Sequence, residues 1–354
     1  MHNILDFGIP YWDETTPLPS ENEEIHKYFI RSMLHSTKSS FYYVCLDKDE
    51  KQVKIIKFIK LLEEKIPRIK DEIETINIVQ HSNIIKVEDC FRYTAYICVV
   101  FPYTPHLTIH HYLMNKFPTG FPENIASSIF LQMLKGVEYL HSQNIWNRDI
   151  KLESFLIFDN KDQKDPNNNL NILLSNFEYA KIFEKDTKGT QFIGTPEYMA
   201  PEMANHVPYN ESVDIWSLGI SLFVMLTGQS PFPDYKTQPQ SCLNHVKKGF
   251  LNYQLLANKG ISQSAVLLIE NMCDVDPKKR PSATEALKNT WITDNTIYMN
   301  TNEVVDESKI ADEFFEKNKD YLVDTSPKKK LDDELSPRIL AQIFDDPKTQ
   351  ADEK

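Results

Sequence analysis

Asn147-Arg148-Asp149-Ile150-Lys151-Leu152-Glu153 sets four charged residues within seven, a short distance after an apolar helical pattern. On its own residues it is either a polar loop, with Asp149 accepting backbone N–H groups and Lys151 as its ion partner, or a loop where that carboxylate and ammonium do chemistry. Just upstream, Pro122 suits a first helical position, and Ile125, Ile129, Met133, Val137 and Leu140 keep roughly 3.6-residue spacing up to His141. Downstream, Asp214 to Thr227 is apolar nearly all round and is stopped by Gly228, the pattern of a helix buried on every side. Further upstream, Val53, Ile55, Lys57 and Ile59 share one face of a strand, because side chains alternate with period two. Ile69, Glu72, Ile76 and Val79 fall on one helical stripe. Taken alone, Lys57 reads equally as an edge-strand residue and Glu72 as a flank residue. An unpaired charge on an apolar face is costly, so their joint inward placement favours an ion pair. The spacing therefore predicts an α+β chain, with a smaller strand-containing lobe followed by a larger helical one.

The 354 residues, 41% hydrophobic and 25% charged, suit a globular protein long enough for two domains and exclude a fibrous or wholly disordered chain. The formal charge of -12 lies in the ends: -5 over residues 1–27 and -7 over residues 293–354. The middle is therefore near neutral, and no nucleic-acid partner is expected. Five cysteines, far apart and without a Cys-x-x-Cys pair, support neither a disulfide framework nor a zinc site, and read as thiols in a reducing compartment. No basic-then-apolar N-terminal signal occurs, and the stretch Ile215 to Leu226 is too short to span a bilayer, so the expectation is a cytoplasmic protein without membrane insertion. The boundaries read as an acidic extension over 1–27, a folded domain over 28–292 divided near 101/102, and an acidic, solvated tail over 293–354. Val304 to Leu322 has the spacing for a short amphipathic helix, as either a solubilising tail or a docking or self-inhibiting element.

The opening stretch resembles the catalytic loop of eukaryotic protein kinases, and six further motifs agree in order and spacing. Val99 and Val100 resemble the hinge strand that lines the nucleotide, and Tyr139-Leu140-His141 the end of the helix before the catalytic loop. Gly194-Thr195-Pro196-Glu197-Tyr198 with Ala200-Pro201-Glu202 resembles the end of the activation segment. Asp214-Ile215-Trp216-Ser217-Leu218-Gly219, Leu226-Thr227-Gly228 with Pro231-Phe232, and Asp276-Pro277 with Arg280-Pro281 complete the set. The wording is similar to the serine/threonine branch, nearest the calcium/calmodulin-dependent and AMP-activated groups. The resemblance implies a bilobal kinase-like fold over about residues 28–292. It gives Asp149 as acceptor of a substrate hydroxyl proton, Lys151 beside the transferred phosphate, and Thr195 holding both. It likewise implies that Lys57 and Glu72 orient the phosphates of ATP, that Glu202 and Arg280 tie the activation segment down, and that Asp214 is structural.

The departures fall on the nucleotide and metal side. The family holds magnesium with an aspartate before Phe-Gly and an asparagine five residues after the catalytic aspartate. Those positions are Asn176 and Ser154, and the glycine is Glu178, which is itself a candidate substitute ligand. The phosphate loop should lie near His35 to Tyr43, yet no glycine occurs between Gly8 and Gly120. Asn147 puts a polar group where the family stacks a histidine on Phe177. The resemblance with these departures implies weak ATP binding, a compromised magnesium site, and protein partners or a protein substrate. It points to a pseudokinase acting as scaffold or allosteric regulator. The alternative is an active, atypical serine/threonine kinase that transfers the ATP γ-phosphate to protein hydroxyls. Glu153 hints at basic substrates or only holds its loop. Thr187 and Thr190 read either as phosphosites facing Arg148 or as ordinary loop residues.

Overall fold

A computed structural model describes residues 11–103, 107–159 and 170–299, which divide into two compact units. The Val304 to Leu322 segment and residues 160–169 lie outside the described residues.

The smaller unit holds β1 (Glu24–Ile25), β2 (Tyr28–Ser36), β3 (Ser40–Asp47), β4 (Gln52–Lys60), α1 (Ile66–Ile78), β5 (Asp89–Tyr93) and β6 (Tyr96–Pro102). The strands form one antiparallel sheet in the order β1-β2-β3-β4-β6-β5. Tyr28 near one edge stacks on Phe91 of the other at 5.8 Å, and its Oη donates to Asp89 Oδ2 at 2.9 Å, so the sheet curls until its edges approach. Alternation sorts β4 into two faces. Ile56 and Phe58 join Tyr28, Ile30, Tyr43, Tyr96 and Cys98 in an apolar cluster, while Lys57 faces the other way, beside α1.

The acidic N-terminal stretch is part of this unit from Tyr11 onward. Trp12 Nε1 donates to Tyr96 Oη at 2.9 Å, Trp12 N–H to the Leu61 carbonyl at 2.9 Å, and Tyr96 Oη to the Pro17 carbonyl at 3.3 Å. The Lys60 ammonium lies between the Trp12 ring at 4.3 Å and the Phe41 ring at 4.6 Å. Tyr93 Oη donates to Glu23, and Ile25 is 1% exposed.

The larger unit holds β7 (Leu107–Thr108), α2 (Ile109–Lys116), α3 (Glu123–Ser142), β8 (Ile145–Trp146), β9 (Phe155–Asp159), β10 (Leu170–Leu174), β11 (Lys181–Ile182), α4 (Pro201–Ala204) and α5 (Ser212–Thr227). It continues through α6 (Pro239–Lys248), α7 (Gln254–Asn258), α8 (Gln263–Met272), α9 (Ala283–Ala286) and α10 (Thr290–Met299). α10 thus carries helix past residue 292, where the sequence suggested the fold would end. Every residue of α5 is buried, and Gly228 ends it at φ 71°, donating its N–H to the Val224 carbonyl. The Pro122-to-His141 pattern buries as α3, which packs on α5 and brings its C-terminal end to the catalytic loop. Among the described residues no helix is long and apolar enough to cross a membrane.

Candidate functional site

In the smaller unit the Lys57 Nζ donates to Glu72 Oε1 at 2.6 Å, with both residues buried. Strand register places Tyr42, Lys57 and Val99 side by side on one face, and the ammonium lies 5.7 Å from the centre of the Tyr42 ring. Val100 faces the other way, inside the apolar cluster, and its carbonyl already accepts the Glu88 N–H at 2.9 Å. β6 then ends on Pro102, whose backbone has no N–H to offer a ligand. The stretch expected as a phosphate loop is a tight hairpin. β2 runs to Ser36 and β3 begins at Ser40, so three residues connect them. Thr37 Oγ1 accepts the N–H groups of Ser39 at 3.3 Å and Ser40 at 3.0 Å, and Thr37 N–H donates to the Ser40 carbonyl at 2.8 Å. Three backbone donors that could face a phosphate, those of Thr37, Ser39 and Ser40, are thus bonded within the turn.

In the larger unit the first turn of α5 anchors the catalytic loop. Asp214 accepts the N–H of Asn147 at 2.9 Å and of Arg148 at 2.7 Å, and His141 Nε2 lies 2.9 Å from its Oδ2. Arg148 needs that support, since its φ of 66° is in the left-handed region that side chains disfavour. Asn147 is 1% exposed but satisfied: its Nδ2 donates to the Asn176 carbonyl at 2.7 Å, and its Oδ1 accepts the Asp149 N–H at 3.1 Å. The polar replacement of the expected stacking histidine thus ties the catalytic loop to the segment carrying Phe177.

Asp149, Lys151 and Thr195 come together as the resemblance implies. Thr195 Oγ1 donates to Asp149 Oδ1 at 2.7 Å, Lys151 Nζ donates to Thr195 Oγ1 at 2.9 Å, and Lys151 Nζ lies 3.5 Å from Asp149 Oδ2. Burial pushes the Asp149 carboxyl above its ordinary value and the Glu178 charge adds to this, while Lys151 and Thr195 pull it back. A carboxyl so placed is a better proton acceptor than an exposed one. The two degenerate metal positions adjoin it. Asn176 Nδ2 lies 3.0 Å from Asp149 Oδ2 and 3.5 Å from Ser154 Oγ, and Ser154 Oγ donates to the Asp149 carbonyl at 2.9 Å. Glu178 N–H donates to Asn176 Oδ1 at 3.1 Å.

The Arg148 guanidinium is buried among neutral acceptors: the Tyr179 carbonyl, from Nε at 2.9 Å and Nη2 at 2.6 Å, and, from Nη1, Gln191 Oε1 at 2.9 Å and Tyr209 Oη at 3.5 Å. Thr187 Oγ1 donates into its own turn, to the Glu184 carbonyl at 2.6 Å, while Thr190 is exposed next to Gln191. Arg280 grips Glu202 with both Nη atoms, at 2.7 and 2.8 Å, in a buried bidentate pair. Glu197 is a residue sequence reasoning passed over as a charge. Burial pushes its carboxyl up, the Tyr235 N–H pulls it down, and the Asp234 and Glu153 charges raise it again. Tyr42 and Pro102 were also missed. An inward tyrosine beside Lys57 follows from the β3–β4 register, and a proline closing β6 was readable from the sequence itself.

The protein kinase domain family matches residues 11–292 and so takes in the N-terminal strap around Trp12. The chain is 29% identical to a probable serine/threonine-protein kinase, fhkD, of Dictyostelium discoideum, over 87% of this chain and 42% of that protein. It is 27% identical to calcium/calmodulin-dependent protein kinase type 1 of Macrobrachium nipponense, over 76% of each chain. Against serine/threonine-protein kinase 33 of Bos taurus it is 30% identical over 68% of this chain and 47% of that one. The chain thus spans less than half the length of two of these three relatives.

Proposed function

The chain belongs to the protein kinase domain family, and from that premise we propose that it is a pseudokinase, binding protein partners as a scaffold or allosteric regulator with phosphotransfer severely impaired. One observation carries this reading: the Thr37 hydroxyl and the Ser40 carbonyl engage the N–H groups of Thr37, Ser39 and Ser40 in the turn that should close over ATP phosphates. Tyr42 beside Lys57, the engaged carbonyl of Val100 and the missing N–H of Pro102 add to it. Losing one preorganised stabilising group costs about 10²–10³-fold in rate, and several are altered together. The partner this reading favours is a segment carrying arginine or lysine, since the Asp234 and Glu153 charges both act on the Glu197 carboxyl, against a single opposing lysine, Lys236. The cytoplasm, where the free thiols would stay reduced, is the compartment this reading assigns.

A second reading has an observation in its favour. The Asp149, Lys151 and Thr195 constellation is assembled, with the carboxyl pushed up toward a working proton acceptor, so an atypical serine/threonine kinase is the alternative. Radiolabelled phosphotransfer with magnesium or manganese, beside an Asp149→Asn control, separates the two. The pseudokinase reading expects parent and control to be equally inert. Transfer by the parent that the control abolishes makes the chain an enzyme.

A further inference from the structure

Asn176 and Ser154 occupy the positions from which the family holds magnesium, and their hydrogen bonds run the wrong way for a cation. Hard divalent ions bind oxygen lone pairs. Asn176 instead turns its NH₂ toward Asp149 Oδ2 at 3.0 Å and Ser154 Oγ at 3.5 Å. Its oxygen is taken by the Glu178 N–H at 3.1 Å. The amide orientation is fixed from both ends: turned over, it would set its oxygen against the Asp149 carboxylate and its nitrogen against the Glu178 N–H, exchanging two bonds for two repulsions. Ser154 spends its proton on the Asp149 carbonyl at 2.9 Å. Asp149 Oδ2 also has the Lys151 ammonium at 3.5 Å, so positive charge already reaches it. Among the described residues no group of three or more His, Cys, Asp or Glu side chains is placed to hold a metal ion.

We propose that Asn176 is a built-in replacement for a divalent cation: its amide bridges Asp149 and Ser154 and positions the Asp149 carboxylate, where a second carboxylate would call for a metal. The proposal rests on the impaired-kinase reading and deepens it, because the metal has been exchanged for an internal donor rather than simply lost. Asn176 is then a positioning residue, and the centre keeps its arrangement in the presence of a chelator. A aspartate at this position would confront Asp149 with a second carboxylate, and the two would need a cation between them.

The test is manganese uptake by the full chain, read from the loss of the free-ion electron paramagnetic resonance signal, with melting temperature as a second readout. The parent, Asn176→Ala and Glu178→Gln should retain manganese equally, and the parent's melting temperature should be the same in magnesium as in chelator. Asn176→Asp should gain a site, and saturating magnesium should raise its melting temperature by about 3 °C or more. Asn176→Ala loses the same bridge without adding charge and should gain neither, which separates the exchange from general loosening. Manganese held by the parent and released by Asn176→Ala or Glu178→Gln overturns the proposal. A folded Asn176→Asp that gains no site also overturns it, and if that variant does not fold, the comparison of the parent with Asn176→Ala and Glu178→Gln decides. The underlying reading fails separately: a parent that transfers phosphate sinks the pseudokinase, whereas an inert parent that holds manganese through these residues sinks only the exchange.

Discussion

Lys57 and Glu72 give up most of their hydration to meet at 2.6 Å, so the pair adds little net stability, yet breaking it strands a buried charge. Lys57→Met should therefore lower stability by about 3–5 kcal/mol, and adding Glu72→Leu should recover most of the loss. The shift in urea midpoint measures both, and a Lys57→Met protein as stable as the parent would show that the pair carries no weight. This contact was legible because two independent periodicities each left a charge on an apolar face. The role of Asn176 was legible only as an identity. Which way its amide points depends on the Glu178 N–H two residues on, a local contact, and on Asp149, 27 residues earlier in the chain, which no local pattern shows.

At the scale of elements, α3 and α5 were readable because burial imposes its period directly on the sequence, with Gly228 marking the stop. The β2–β3 connection was readable only as a loss. Absent glycines announce that a phosphate loop is missing, but not that strand takes its place on either side of a three-residue turn. The turn depends on one hydroxyl that accepts two N–H groups from Ser39 and Ser40, both residues being buried. Thr37→Val keeps the shape and removes the acceptor, at a cost of about 1–3 kcal/mol. Amide hydrogen exchange at Ser39 and Ser40 should then speed up by about tenfold or more, since each 1.4 kcal/mol is a factor of ten. Exchange that stays at the parent rate would mean the hydroxyl does not hold the turn, and the argument for a closed phosphate site would lose its main support.

Over the whole molecule, the family and the order of its motifs were legible because the residues of the catalytic loop and activation segment stand at fixed spacings, matched here across residues 11–292. The N-terminal stretch was not. It has no period, its contacts are single ones such as Trp12 Nε1 to Tyr96 Oη, and its acids look solvated until their partners are placed. Glu23 accepts from Tyr93 Oη and Glu24 meets Lys48 at 2.6 Å, so part of the -5 charge over residues 1–27 is spent inside the smaller unit. The strap also covers one end of an aromatic cluster that includes Tyr28, Phe58 and Tyr96, and Ile25 is a member of that cluster. Removing residues 1–27 should thus expose contiguous apolar surface that a soluble protein rarely leaves open. A chain begun at Tyr28 is expected to bind a hydrophobic dye such as ANS strongly and to aggregate, whereas a chain begun at Tyr11 keeps every contact described for the strap and should do neither. If the chain begun at Tyr28 stays monomeric, dye-free and as thermally stable as the one begun at Tyr11, the strap is an ornament on a sheet that folds without it, and the domain starts where the sequence first placed it.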